Sequence, residues 1–96
     1  MKYEVLNQIV NQVFEDSTVD ELQLRFREDV EVSPEEFKQL IGQGTLVTGT
    51  EDYGVITDIY EYCEEGKRYV KMLLVYYKKD EKYYVMELQM WREIKL

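Results

Sequence analysis

Pairs of adjacent carboxylates punctuate this sequence, among them Glu15-Asp16, Asp20-Glu21, Glu28-Asp29, Glu35-Glu36, Glu51-Asp52 and Glu64-Glu65. Two carboxyl groups held at different pKa values can divide acid and base work between them, as in glycoside hydrolysis. Adjacency along the chain does not supply that geometry, because neighbours in a loop or a first helical turn face solvent or a helix dipole. The loop over residues 51–58 also lacks the alternating oxygen ligands of an EF-hand.

Histidine is absent and Cys63 is the only cysteine. That excludes an internal disulfide, the usual zinc ligand sets and any Cys/His or Ser/His nucleophile pair. Glu64 and Glu65 beside Cys63 oppose a thiolate, so Cys63 reads as a small apolar strand residue. The chain holds no Gly-x-Gly-x-x-Gly, no phosphate-binding Gly-Lys-Ser/Thr loop and no Gly-x-Ser-x-Gly elbow. These residues point to a non-enzymatic protein with no catalytic set, no cofactor and no metal.

Aromatic residues are the unusual feature, with nine tyrosines, three phenylalanines and Trp91 among 96 residues. Tyr62, Tyr69, Tyr77, Tyr83 and Trp91 are the rings expected away from the main core face, and Tyr and Trp supply much of the energy of protein interfaces. Packing on a second sheet face or in cross-strand pairs is the competing role for them. Glu51, Asp52, Glu64 and Glu65, in the turns between strands, are the acids expected to meet a partner.

Charge is unevenly spread. Residues 1–65 hold 16 acids and 4 bases, net −12, and residues 66–96 hold 4 acids and 8 bases, net +4, which together give −8. A surface of that sign attracts basic partners and disfavours nucleic-acid phosphate, although salt screens the effect beyond about 8 Å. The same charge also serves solubility.

The elements that position these residues are legible from their periods. Val5, Leu6, Ile9, Val10, Val13 and Phe14 share one half of a helical cylinder and Glu4, Asn7, Gln8, Asn11, Gln12 and Glu15 the other, which predicts an amphipathic helix over residues 3–15. Two periods fit residues 18–27. Thr18 and Glu21 have the spacing of a capping box with Val19, Leu22 and Phe26 on one stripe, whereas Leu22, Leu24 and Phe26 alternate with polar residues as in a strand. The capping pattern favours the helix. Ser33, Pro34 and Glu36 read as N-cap, first residue and capping-box acid of a further helix over 34–43, closed by Gly42 or Gly44.

From Thr45 onward β-branched and aromatic residues broken by turn signals predict four antiparallel strands, over 45–48, 54–63, 69–78 and 82–94. Both faces of the third are apolar, so it is expected to be central and covered on both sides. The fourth is expected to turn Tyr84, Met86, Leu88 and Met90 inward. The fold class is therefore α+β: one domain of 96 residues, with a helical half over 1–43 packed on a four-stranded sheet or small barrel over 45–94.

The stretch Gly44-Thr45-Leu46-Val47-Thr48-Gly49, followed by Glu51-Asp52-Tyr53-Gly54-Val55-Ile56-Thr57-Asp58-Ile59, resembles the opening of SH3-like small barrels of the KOW and Tudor type. That resemblance implies a closed barrel and a binding module for protein or nucleic acid. It does not transfer individual binding residues, and the chain lacks the basic loops of KOW-like nucleic-acid binders.

Three functions follow as expectations. The first is a protein-binding module, an adaptor or inhibitor, that anchors a basic protein partner on its aromatics; its carboxylates could imitate phosphates and block a nucleic-acid-binding protein such as a defence nuclease. The second is a nucleic-acid binder using Lys67, Arg68, Lys71, Lys78, Lys79, Lys82 and Arg92 with stacked tyrosines. The third is a structural or homo-oligomeric protein that pairs through the exposed edge of its first strand. Met1 to Phe14 lacks the pattern of a signal peptide and no apolar run spans a bilayer, so a cytoplasmic location is expected, without a membrane partner.

Overall fold

A computed structural model describes residues 1–94. The elements run α1 (Tyr3–Glu15), β1 (Glu21–Val32), α2 (Pro34–Ile41), β2 (Thr45–Asp52), β3 (Val55–Cys63), β4 (Arg68–Lys79) and β5 (Lys82–Ile94). All five strands form one antiparallel sheet in the order β1-β5-β4-β3-β2, with both helices packed on one of its faces.

The apolar half of α1 buries Leu6, Val10 and Val13 as its periodicity predicts. At α2 the capping box is complete: the Glu36 backbone N–H donates to Ser33 Oγ at 3.1 Å, and the Ser33 N–H donates to the Glu36 carboxylate at 2.9 Å. Pro34 follows at the first helical position. The four strands predicted after residue 44 are present, the first extended to Asp52. β2–β3 and β4–β5 are each joined by a two-residue turn of the kind that needs positive φ at both positions, Tyr53 (50°) with Gly54 (84°) and Asp80 (51°) with Glu81 (62°).

The helix expected over residues 18–27 is instead a short connection over 18–20 followed by the first half of a fifth strand. Instead of capping a helix, Thr18 closes a turn in which its N–H (3.0 Å) and its hydroxyl (2.6 Å) both donate to Asp16 Oδ1. Residues 21–25 then pair with 87–91 of β5, so Leu22, Leu24 and Phe26 face the helices while Glu21, Gln23, Arg25 and Arg27 stay exposed. Pairing with a distant strand outweighs local helix preference here. This strand also decides the closure of the sheet. β1 and β2 lie at opposite edges and do not meet, so the sheet is open and the small barrel is not formed.

β4 is central, as expected, yet it is covered on one face only. Val70, Met72, Leu74 and Tyr76 are buried against the helices, while Tyr69, Lys71, Leu73, Val75 and Tyr77 are half-buried on the other face. β5 departs from its expected phase because a bulge at Met86 shifts the register between Val75 and Tyr76 of β4. Tyr83 and Val85 therefore point to the helices with Leu88 and Met90, and Tyr84 points away.

Candidate protein-binding surface

The uncovered face of the sheet is assembled by alternation along three paired strands. Ile59 of β3, Leu73 and Val75 of β4 and Trp91 of β5 stand on it, each half-buried although no helix lies above them. Tyr69 and Trp91 sit toward one end and Tyr77 and Tyr84 toward the other. The last two rings stack at 5.2 Å between centroids and 13° between planes. An apolar centre with aromatics at both ends is unusual for a wetted sheet face, which normally alternates to polar.

Ion pairs and hydrogen bonds border this apolar centre. Lys71 lies 3.1 Å from Glu93 and 4.0 Å from Glu61, Arg25 3.3 Å from Glu87, and Lys82 3.4 Å from Glu31. Tyr77 donates to Asp29 at 2.9 Å, Tyr84 to Glu31 at 3.3 Å and Trp91 Nε1 to Glu93 at 3.0 Å. Such bonds hold the ring edges while leaving the apolar faces available. They also mix the two halves of the chain. β1 belongs to the acidic half by sequence but lies beside β5, so acids of the first half and tyrosines of the second stand together.

The aromatic residues expected to lie off the main core divide between the two faces. Tyr69, Tyr77 and Trp91 are on the open face, joined by Tyr84, which the expected phase of β5 had turned inward. Tyr62 and Tyr83 are on the helix side. The Tyr83 ring stacks on Phe37 at 4.1 Å, and Tyr62 packs edge-on to Phe14 at 4.8 Å and donates its hydroxyl to the Ile41 carbonyl at 2.5 Å. Gly44 permits that placement, since a Cβ there would stand 2.5 Å from the Tyr62 ring.

The acids divide likewise. Glu51, Asp52 and Glu65 are exposed in or beside turns, but Glu64 is occupied: Arg92 Nε donates to it at 3.0 Å, and Arg68 lies 3.9 Å away. Arg92 itself has a side chain only 4% exposed, and its other nitrogens donate to the carbonyls of Val13 and Val19. It fastens the end of α1 and the α1–β1 connection to the β3–β4 turn, and is unavailable to phosphate. Cys63, expected as a packed strand residue, is an exposed free thiol at the end of β3. Among the described residues no group of acidic, cysteine or histidine side chains could hold a metal ion, and no helix is long and apolar enough to cross a membrane.

Beneath the sheet, Asp58 is 7% exposed and accepts hydroxyl hydrogen bonds from Tyr76 (2.6 Å) and Tyr60 (3.1 Å). Burial, with the Asp58 carboxylate beside them, holds both phenols far above the usual tyrosine value, and burial does the same for Tyr62. A raised pKa means that folding favours the protonated phenol, so this contribution is complete below the unfolded value of about 10 and is lost as pH rises through the folded values. The denaturant midpoint is accordingly expected to fall with rising pH above about 10, and less steeply in Tyr76→Phe. An equal slope in that variant would remove Tyr76 as its source.

Comparison with known proteins places this fold. The profile of the family described as "Protein of unknown function (DUF1374)" matches residues 2–93. The chain belongs to this family. Similar proteins include uncharacterized protein 14 of Sulfolobus islandicus filamentous virus, 32% identical over 77 residues, covering 80% of this chain and 69% of that protein. Uncharacterized protein 95 of Sulfolobus islandicus rod-shaped virus 1 is 27% identical over 93 residues, covering 97% and 98%. Among solved structures, ORF14 of the filamentous virus superposes with a TM-score of 0.87 at 28% identity, over 95% of this chain and 83% of that one. ORF-99 of the archaeal virus AFV1, described as thermo- and acido-stable, shares the fold with a TM-score of 0.84 at 21% identity, over 98% and 94%. The DUF1374 sheet thus replaces the small barrel suggested by residues 44–59.

Proposed function

We propose that this DUF1374 protein is a non-enzymatic binding module that docks a protein with a basic surface on the open face of its sheet. The observation that carries the reading is the apolar strip of Ile59, Leu73, Val75 and Trp91, left without a covering layer and edged by Tyr69, Tyr77 and Tyr84. Aromatic anchors amid well-packed apolar neighbours have the composition of interface hot spots. The net charge of −8 adds attraction for a basic partner. Relatives encoded by archaeal viruses support an inhibitor of a host protein, including one whose nucleic-acid site the carboxylates at both ends of the sheet would occupy.

Direct nucleic-acid binding has weaker support. Of the cations it would use, Arg92 is buried, Lys71 and Lys82 are in ion pairs, and Arg68 donates to the Ser17 carbonyl and lies beside Glu64.

Affinity capture from host-cell extract tests the reading, with wild type compared against Trp91→Ala and Leu73→Asp. A specific captured protein should be lost from both variants while their circular dichroism stays unchanged, with affinity down at least about tenfold. Its retention should also weaken with added salt. A captured protein held equally by both variants would exclude the open face as the docking surface.

A further inference from the structure

The two edges of the sheet are built differently. β1 carries Glu21, Arg25, Arg27, Glu28, Asp29 and Glu31, and its pairing with β5 is interrupted between Arg25 and Val30. Charges and irregularities of that kind keep an edge strand from recruiting another. β2 has no charged residue from Thr45 to Thr50, and its one irregularity, at Val47, lies near its start. The helix layer stops short of it. Every residue of β2 is exposed, including Leu46 at 54% and Val47 at 52%. Gly49 keeps the strand close to β3, since a Cβ there would stand 2.7 Å from Asp58 Oδ1.

We propose that β2 pairs antiparallel with β2 of a second copy of this chain, joining two five-stranded sheets into one continuous sheet across a two-fold axis. Charge selects both the edge and the direction. Glu51 and Asp52 close the strand, so antiparallel pairing puts the carboxylates of the two copies at opposite ends, each beside the uncharged start of the other strand. Parallel pairing would set all four side by side, and β1 is disfavoured as a pairing edge by its interrupted ladder and its six charged side chains. Thr45, Thr48 and Thr50 share one face of the strand and suit cross-strand threonine pairs, while Leu46 and Val47 gain cover.

This pairing leaves the open face free and is independent of the docking reading above. It also has the opposite salt dependence. Two chains of −8 repel, so added salt should strengthen the dimer, whereas it weakens the grip on a basic partner.

Sedimentation equilibrium of the full chain at low and high salt tests the proposal, paired with hydrogen exchange at low and high protein concentration. A monomer–dimer equilibrium that tightens with salt is expected, with residues 45–52 gaining amide protection at high concentration and residues 21–32 unchanged. The double substitution Val47→Lys and Thr48→Lys should weaken the dimer at least about tenfold, because four lysines then crowd around the two-fold axis and repel. Those two lysines reduce the net charge from −8 to −6 and so would strengthen a dimer formed elsewhere. A concentration-independent monomer at both salts would overturn the proposal. So would a dimer whose protection maps to β1 or the open face, or one that the double substitution leaves intact.

Discussion

Replacing Arg92 with methionine is expected to lower the unfolding free energy by about 3 kcal/mol, read as a drop in denaturant midpoint at unchanged slope. The guanidinium is 4% exposed and serves three segments distant in sequence: the Val13 carbonyl in the last turn of α1, the Val19 carbonyl before β1, and the Glu64 carboxylate after β3. Methionine matches the length of the stem but donates to none of them. Two carbonyls and a carboxylate would lose partners together, and an unpaired buried polar group costs about 1–3 kcal/mol. The total stays below that sum because Glu64 remains 20% exposed and Arg68 lies 3.9 Å away, so water and a second cation take up part of its charge. Lysine at position 92 keeps the charge without the planar fork and should recover only part of the loss. A cost under about 1 kcal/mol for methionine would show that Arg92 is not the fastening of α1 to the sheet.

Leu74→Ala is the second large effect, expected at about 3 kcal/mol, against less than about 1 kcal/mol for Leu73→Ala one residue earlier. Leu74 is fully buried at the centre of β4, between Asp58 of β3 and Leu88 of β5, in the cluster that Leu6, Val10, Phe37 and Leu40 complete from the helices. Removing its side chain leaves a cavity that the paired strands cannot collapse to fill. Leu73 points to the open face and is already half in water. Equal costs at the two positions would mean that both faces of β4 are covered, as the apolar character of both its faces had suggested, and would take away the docking surface as well. Comparison of the two denaturation midpoints decides between them.

Those neighbouring leucines show how far local pattern reaches. Leu73 and Leu74 are alike in sequence, and period two says only that they face opposite ways. The face that receives helices depends on where α1 and α2 pack. The same holds for the rings: Tyr62 and Tyr83 resemble Tyr69 and Tyr77 in their surroundings along the chain, yet the bulge at Met86 turns Tyr83 onto Phe37 and exchanges it with Tyr84. A single extra residue in a strand reverses every side chain beyond it.

Residues 18–27 mark the other boundary. Their capping pattern and their alternation were both present in the sequence, and the alternation prevailed because β5 offers a ladder from Leu22↔Met90 to Leu24↔Leu88 that no local signal displays. Arg92 was legible only as a cation in a basic stretch. Its three partners are 28, 73 and 79 residues away.

What the chain dictates by itself is local: the amphipathic stripe of α1, the Ser33 capping box, and the turns that separate β2, β3, β4 and β5. Each is set by neighbours within about four residues, through helix periodicity, capping hydrogen bonds and positive-φ turn geometry. The tertiary structure alone decided that β1 is a strand, that the sheet stays open, that Arg92 is a buried clasp, and that Ile59, Leu73, Val75 and Trp91 remain uncovered. Those outcomes depend on which distant strands pair and which face the two helices occupy, and both are settled by burial summed over the whole core.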